Sequence, residues 1–319
     1  MRRRDFLSSA AAVAALLPTA GLARTLAPEP SASPTDISSV MPVGLLISPA
    51  SGPEETIRRV HDLGMSNCFF SLDAYLGKFT AQLAQQFNGL LKQYGVTCTT
   101  VEVVGPQPLI WDFLKGPSTI GLVPPAYRAA RIDALKQASD FAKLLGVSQV
   151  QTHCGFIPED PADPLYPQTV AAIREVAQHC AANGQRFLME TGQETPTTMA
   201  RAIQDVNMPN LGVGLDTANL ILYGKANPVD AVSILGKHVH AVHAKDGRWP
   251  TDPYKLGSEV LIGTGLVDFR KVFTELRQAG YTGAITIERE TNGPQQIEDV
   301  RKEKVYLENI LAPIRAGRA

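Results

Sequence analysis

The amino-acid sequence predicts a (β/α)8 barrel, the fold also called a TIM barrel. The chain has 319 residues, and three of its features favour this fold. Eight short apolar runs are typical of buried strands, helical patterns separate them, and six helical patterns end in a glycine directly before the next run. The clearest helical pattern covers residues 125–146, where apolar residues recur three and four positions apart. Eight strand–helix units in about 275 residues match the size of this fold.

Each apolar run is predicted to form one strand of the barrel. In chain order the runs are VGLLIS (43–48), NCFFSL (67–72), TCTTVEVV (97–104), SQVQTHCG (148–155), RFLMET (186–191), LGVGLD (211–216), HVHAVHA (238–244) and AITIE (284–288). The glycines that end the helical patterns are Gly64, Gly95, Gly146, Gly184, Gly236 and Gly280. Glycine is favoured there because the residue that closes a helix often needs a positive φ.

The main competing fold is a doubly wound open sheet. Such a sheet commonly carries a glycine-rich phosphate loop after its first strand. Here the sequence SPASGPEE occupies residues 48–55 instead, so the barrel is preferred.

Residues 1–23 are predicted to be a twin-arginine signal peptide. The residues that match the export pattern are Arg3, Arg4, Phe6 and Leu7. An alanine-rich run follows, and Ala23 ends a small-x-small cleavage site. The apolar run is about half the ~20 residues that a membrane span needs. The alternative is a basic N-terminal tail.

The predicted signal implies a periplasmic or otherwise exported protein, with the twin-arginine export machinery as a partner. Residues 24–40 are rich in Pro, Ser and Thr and are predicted to be a flexible linker, and residues 41–319 form the predicted barrel. The net charge is −1 and the basic residues are scattered, which excludes a nucleic-acid-binding stripe.

Four chemically reactive side chains stand at the ends of the fifth to eighth predicted strands. They are Glu190, Asp216, His243 and Glu288. The C-terminal ends of barrel strands converge at the active site, so these side chains are expected to meet. Three bare carboxylates would repel one another, and a divalent cation resolves the conflict. Three oxygens and one imidazole suit Mn²⁺, Mg²⁺ or Co²⁺.

The competing interpretation is that each acid caps a helix or lies in solvent. In addition, Glu290 shares a face with Glu288 and is an alternative last ligand. Glu288 is preferred because the apolar run ends there.

The sequence resembles the sugar phosphate isomerase/epimerase family, which has the xylose isomerase-like barrel. The resemblance covers nearly all of the chain after the signal and is carried by METGQE, VGLDTAN, HVHAVHAKDG, IGTGLVDF and LRQAGYTGAITIERE. It implies one divalent metal ion, Mn²⁺ first, with Mg²⁺, Co²⁺ or Zn²⁺ as alternatives. The implied ligands are Glu190, Asp216, His243 and Glu288, and the two glutamates are also the implied catalytic residues that move the proton.

One position departs from the family pattern. Many relatives have a histidine three residues after the metal-binding aspartate, where this chain has Asn219. The departure argues against a three-zinc nuclease and leaves the residues of the substrate pocket undetermined.

Six residues around the predicted metal are candidates for contact with a carbohydrate. They are His153, Lys245, Arg248, Asn219, Trp111 and Trp249. The aromatic rings on the long loops after the third and seventh strands are suited to stacking on a sugar face. The alternatives are a core histidine, a surface arginine, and tryptophans that only fill the loops' own small cores.

The function that follows from the resemblance is isomerisation or epimerisation of an unphosphorylated sugar or keto-sugar. One glutamate removes a proton next to the carbonyl, an enediolate forms, and the other glutamate returns a proton. A lyase or hydratase acting on a 3-oxo-glycoside at the same metal is the first alternative, and a non-catalytic carbohydrate-binding barrel is the second. A homo-oligomer is also possible.

Overall fold

The structure is a computed structural model that describes residues 40–318. The predicted signal peptide, residues 24–39 of the predicted linker and Ala319 lie outside the described residues. The strands are β1 (Val43–Ile47), β2 (Asn67–Ser71), β3 (Thr97–Glu102), β4 (Gln149–Thr152), β5 (Arg186–Glu190), β6 (Leu211–Asp216), β7 (Val239–Ala244), β8 (Asp246–Arg248), β9 (Ser258–Val260) and β10 (Ile285–Ile287). The α-helices are α1 (Pro53–Asp62), α2 (Ala81–Tyr94), α3 (Gly116–Thr119), α4 (Pro125–Leu145), α5 (Leu165–Ala182), α6 (Pro196–Val206), α7 (Asn219–Leu222), α8 (Pro228–Leu235), α9 (Phe269–Gln278) and α10 (Pro294–Arg315).

Strands β1 to β7 and β10 close into a parallel barrel, and they follow one another around it in chain order. All eight predicted strands are therefore confirmed, and the open-sheet alternative is wrong. In the register of β5, β6 and β7, Glu190 lies opposite Gly214, and Asp216 lies opposite His243. Glu288 directly follows β10, which pairs with β7. The topology thus places the ends of four neighbouring strands beside one another.

Five of the six helix-ending glycines have the positive φ that the sequence predicted. They are Gly64, Gly95, Gly146, Gly184 and Gly280. Gly236 differs, because its φ of −50° is right-handed and it begins a short 3-10 helix that ends at His238. At that position glycine serves a close approach instead, since an added Cβ would lie 3.1 Å from the Cβ of Ala279.

The apolar core has two parts. The larger part fills the space between the barrel and its helices. A smaller cluster of Phe69, Leu188 and Ala241, with Leu46 packed against it, lies inside the barrel. The Phe69 ring meets the His243 imidazole edge-on, with ring centroids 4.5 Å apart. Apolar packing therefore supports the side chain of His243, one of the four predicted ligands. Among residues 40–318, no helix combines the length and the apolar character needed to cross a membrane.

The loop after β7 is organised by the buried carboxylate of Asp246. Its Oδ1 accepts hydrogen bonds from the backbone N–H groups of Gly247 and Val267, at 2.8 and 3.1 Å. Its Oδ2 accepts from Gly263 and Gly265, at 2.9 and 2.8 Å. A side chain at Gly265 would collide with Asp246. The KDG and IGTG segments are therefore in direct contact through Asp246.

Candidate metal centre and active-site cavity

The four predicted ligands come together at the C-terminal end of the barrel. Glu190, Asp216, His243 and Glu288 each offer one oxygen or nitrogen atom, and these four atoms lie within 4.8 Å of one another. His243 Nδ1 is 3.3 Å from Glu190 Oε1 and 2.9 Å from Glu288 Oε2. The sequence predicted this convergence, and the strand order explains it.

The two oxygens of Glu190 face two different groups of side chains. Oε1 faces His243 and also lies 3.4 Å from the amide Nδ2 of Asn219. Oε2 accepts a hydrogen bond from Gln151 Nε2 at 2.9 Å and lies 3.1 Å from His153 Nε2. Glu190 is therefore held from both sides, which fixes its carboxylate in one orientation.

Asp216 uses its two oxygens differently. Oδ1 accepts hydrogen bonds from the backbone N–H groups of Ala218 and Asn219, both at 2.7 Å, at the start of α7. Oδ2 has no hydrogen-bond partner within the described part of the chain, although it is fully buried. The helix-capping interpretation is thus correct for one oxygen, while the other points into the cluster.

The ammonium of Lys245 contacts both candidate glutamates that follow β10. Its Nζ lies 3.1 Å from Glu288 Oε1, 2.6 Å from Glu290 Oε1 and 3.8 Å from Asp216 Oδ2. The Glu288 side chain is 12% exposed and belongs to the cluster, whereas that of Glu290 is 59% exposed. The geometry therefore favours Glu288 over Glu290 as the fourth ligand.

Neighbouring charges decide which members of the cluster are ionised. Burial alone would raise the pKa of Glu190, but His153 and His243 lower it to about 2. Burial alone would lower the pKa of His243, but the carboxylates of Glu190 and Glu288 raise it well above its usual value. Burial raises the pKa of Asp216 well above its usual value despite the nearby ammonium of Lys245. A metal cation that bound here would therefore release protons.

The donor set fits a divalent cation. The buried, unpartnered Oδ2 of Asp216 within the described chain is the atom that a cation would satisfy. Three carboxylates and one imidazole are hard or intermediate ligands, which suit Mg²⁺ and Mn²⁺. The ligand atoms are close enough together to share one ion.

A cavity of about 440 Å³ opens beside the cluster. Of the predicted site residues, Glu288, His153, Asn219 and Trp111 line it. The Trp111 ring is 42% exposed and meets the His153 imidazole edge-on, with centroids 4.9 Å apart. These residues are therefore placed to contact a bound molecule.

Three further predicted contacts lie elsewhere. Lys245 is buried beneath Glu288 and Glu290 rather than in the cavity wall. Arg248 and Trp249 are not among the residues that line the cavity, and their contact with substrate stays a prediction. Arg248 is exposed and donates to the carbonyl of Thr264 at 3.3 Å, and Trp249 is 48% exposed beside Gly224. Arg248 ends β8, and Trp249 directly follows it.

Several polar residues of the site are not among those predicted from the sequence. Those with a direct role in its geometry are Glu102, Gln151, Gln193, Asp73 and Tyr223. Glu102 and Gln151 lie on β3 and β4 and alternate with apolar neighbours, so the period of two could have revealed them. Gln193 lies on the loop after β5, where no periodicity applies.

The match to a family model places this architecture among known proteins. Residues 57–310 match the model described as xylose isomerase-like TIM barrel. The chain belongs to this family.

Solved structures with the same fold agree with that assignment. A xylose isomerase domain protein from Planctomyces limnophilus is 30% identical, with a TM-score of 0.79 over 87% of this chain and 99% of that one. A xylose isomerase-like TIM barrel protein from Mycobacterium smegmatis, solved in complex with magnesium, is 18% identical, with a TM-score of 0.64 over 85% of this chain and 90% of that one. The second likeness shows the fold alone.

Curated relatives include enzymes that act on sugars and cyclitols. An L-ribulose 3-epimerase from Methylomonas sp. (strain DH-1) is 28% identical over 180 residues, which are 51% of this chain and 57% of that protein. An inosose dehydratase from Geobacillus thermodenitrificans is 28% identical over 117 residues, 32% of this chain and 38% of that protein. The chain spans less than two thirds of the length of the curated relatives it matches.

Proposed function

We propose that this protein is a divalent-metal-dependent enzyme that isomerises or epimerises an unphosphorylated sugar or keto-sugar by proton transfer. The observation that carries the proposal is the cluster of Glu190, Asp216, His243 and Glu288 beside a polar cavity. Sugar epimerases among the relatives support the reaction class.

Glu190, Asp216, His243 and Glu288 would hold the cation, with Mn²⁺ as the first expectation. A bound cation supplies Lewis-acid stabilisation of negative charge on the oxygens of a sugar carbonyl and its neighbouring hydroxyl.

The protein's own side chains supply the proton transfer. Glu288 lines the cavity. Burial alone would raise its pKa, but Lys245 and His243 lower the pKa well below the usual value, so Glu288 is ionised and able to accept a proton. Glu190 faces the same ring nitrogen of His243 as Glu288 does, and it is held by Gln151 and His153. One glutamate removes the proton from the carbon beside the carbonyl, and the electron pair moves onto the carbonyl oxygen. The other returns a proton to the same carbon or to the adjacent one.

The charge of the cavity favours an uncharged substrate. Its acidic lining residues are Asp73, Glu102, Glu288 and Glu290, and no arginine or lysine lines it among residues 40–318. The nearby Lys245 ammonium is already paired with two carboxylates. The cavity wall within residues 40–318 therefore offers no cationic side chain to bind a phosphate group, whereas sugar hydroxyls can donate to carboxylates.

A second candidate function is lyase or hydratase action on a 3-oxo-glycoside. The observation that favours it is that the large apolar side chains of Trp111, Leu222 and Leu256 are among the residues that line the cavity. Such apolar side chains are suited to contact a leaving group attached to the sugar. An inosose dehydratase among the relatives uses a related reaction class according to its name.

Solvent deuterium exchange tests the proposal. The purified protein is incubated in D2O with Mn²⁺ and a panel of keto-sugars, and deuterium on carbon is measured by NMR. We expect exchange with the intact protein and a loss of about 100-fold or more in Asp216→Asn. The control is Asp252→Asn, which changes an aspartate in the turn near Lys255. Release of the aglycone from a 3-oxo-glycoside would favour the lyase instead. Carbohydrate binding that EDTA does not change, together with no deuterium exchange, would favour the non-catalytic barrel.

We also propose that the twin-arginine machinery exports the protein to the periplasm. The support is the N-terminal sequence pattern. N-terminal sequencing of periplasmic protein should begin at Arg24, and retention in the cytoplasm of a strain with intact export would contradict this. Size-exclusion chromatography tests the separate expectation of a homo-oligomer.

A further inference from the structure

Two of the four cysteines lie opposite each other on neighbouring strands of the barrel. Cys68 on β2 pairs in register with Cys98 on β3, and both are buried in the larger apolar cluster between the barrel and its helices. Paired residues of neighbouring strands lie about 4.8 Å apart, and a disulfide spans about 4.4–6.8 Å between Cα atoms. The spacing of the two strands therefore meets the first geometric requirement of a disulfide.

An irregularity in the pairing of β2 with β3 creates this arrangement. Phe69 pairs with Thr100, so Thr99 is an extra residue between two successive pairs. A regular ladder would place Thr99 opposite Cys68. Instead Cys98 takes that place, and the hydroxyl of Thr99 donates to the carbonyl of Cys68 at 3.1 Å. The irregularity thus brings the two thiols to facing positions.

The two thiol groups interact directly, and neither is already bonded to another sulfur. Burial raises the pKa of the Cys68 thiol well above its usual value, and a hydrogen bond with the Cys98 thiol adds to this rise. Cys98 Sγ also lies 3.4 Å from the carbonyl oxygen of Thr100, to which it can donate. Two free thiols in contact on facing residues are the arrangement from which a disulfide can form.

Cys98 is the member of the pair that a small molecule can reach first. It is 9% exposed and lines a cavity of about 310 Å³ together with Thr97 and Gly146, whereas Cys68 is 0% exposed. These residues belong to the N-terminal ends of β3 and β4, so this cavity lies at the end of the barrel opposite the candidate metal centre. An oxidant that enters it meets the sulfur of Cys98 before that of Cys68.

We propose that Cys68 and Cys98 are a modification site, at which an organic or protein disulfide joins them into a bond that staples β2 to β3. In the first step, the sulfur of Cys98 attacks one sulfur of the oxidant, a mixed disulfide forms, and one thiol leaves with a proton. In the second step, the sulfur of Cys68 attacks that of Cys98, and the second thiol leaves with another proton. The two cysteines lose two electrons in total, and the oxidant becomes two thiols.

The bond would constrain both the unfolded and the folded protein. It closes a loop of about 30 residues, which restricts the unfolded chain. It also ties down the strand that carries Phe69, whose ring packs against His243. The proposed export route would bring the protein to a compartment in which disulfides persist. The inference is independent of the proposed metal chemistry, because neither cysteine belongs to the ligand cluster or lines the cavity beside it.

Thiol counting in the full-length protein tests the inference. The protein is treated with cystamine, a small organic disulfide, or with a thiol reductant, and the remaining thiols are alkylated in denaturant and counted by mass spectrometry. We expect four alkylated cysteines in the reduced protein and two in the oxidised protein, with Cys68 linked to Cys98 in the unreduced peptide map. The oxidised protein should also unfold at a Tm about 5 °C higher.

Two variants sharpen the test. Cys180→Ala is the matched control, because Cys180 is a buried cysteine of α5, and this variant should form the same link. In Cys68→Ala the reaction should stop at a mixed disulfide on Cys98.

Several outcomes would overturn the inference. Four alkylated cysteines after oxidation would do so, as would a linkage that involves Cys154 or Cys180. A bond between Cys68 and Cys98 that leaves the Tm unchanged or lower would contradict its role as a staple. If Cys68→Ala does not fold, the peptide map of the wild type decides, because it needs no variant. Metal-dependent deuterium exchange is measured separately, so a failure here leaves the proposed function standing.

Discussion

Replacing Asp246 by asparagine should destabilise the protein strongly, although the substitution keeps the shape of the side chain. Each carboxylate oxygen accepts two backbone hydrogen bonds, and the side chain is 1% exposed. Whichever way the asparagine amide turns, its NH2 group faces two backbone N–H groups. Two hydrogen bonds to a charged acceptor are then lost, at about 1.5–3 kcal/mol each.

The expected loss for Asp246→Asn is therefore about 3–6 kcal/mol in the free energy of unfolding. For a domain of this size, that corresponds to a decrease in Tm of about 5–10 °C. Thermal unfolding followed by circular dichroism measures it, with Asp252→Asn as the control, because Asp252 accepts one exposed backbone hydrogen bond, from Tyr254. A Tm for Asp246→Asn equal to that of the control would refute the idea that this carboxylate holds the loop.

Three other predictions concern the buried acids. Asp216→Asn should keep its helix cap but lose its metal-directed oxygen, so metal content measured by mass spectrometry should fall at least tenfold; unchanged content would contradict its role as a ligand. Affinity for Mn²⁺ should rise with pH, because the raised pKa values of His243 and Asp216 mean that protons must leave before the metal binds, and calorimetry in two buffers should detect the released protons. Burial raises the pKa of Glu194 from 4.5 to about 8, so the folded state holds this proton and stability is lost as the pH rises from about 4.5 through 8. Glu194→Gln should therefore exceed the wild type in Tm at pH 8–9 but not at pH 5, and a constant difference across this range would count against this explanation.

The sequence was sufficient for the barrel because every strand is a short apolar run and the runs are regularly spaced. Strand register could not be derived in the same way. Irregularities between β2 and β3 and between β6 and β7 shift the pairing by one residue. Such shifts depend on how neighbouring strands pack, and the sequence pattern of one strand carries no information about that packing.

The candidate site was predictable where it lies on strands and poorly predictable where it lies on loops. Glu190, Asp216 and His243 could be placed because strand ends in a parallel barrel converge. Arg248 and Trp249 could not, because the hairpin of β8 and β9 determines their direction. That hairpin is held by Asp246 and by glycines almost twenty residues further along the chain. Its path therefore depends on a contact between distant residues rather than on a local pattern.

Asp216 shows why sequence alone left a choice between a structural and a chemical role. Helix capping and metal binding were alternatives for the residue, but they concern different oxygens of one carboxylate. Oδ1 receives two backbone N–H groups of α7, and this fixes the side chain with Oδ2 directed at His243, Glu190 and Glu288. The cap thus supplies the rigidity that a ligand requires, since a carboxylate held by two hydrogen bonds loses little further freedom when it binds a cation. The same reasoning applies to His153, which Gln193 holds at one nitrogen while the other faces Glu190. In both cases the residue that positions the side chain lies on a loop after the strand, so the precision of the site comes from contacts that strand periodicity cannot reveal.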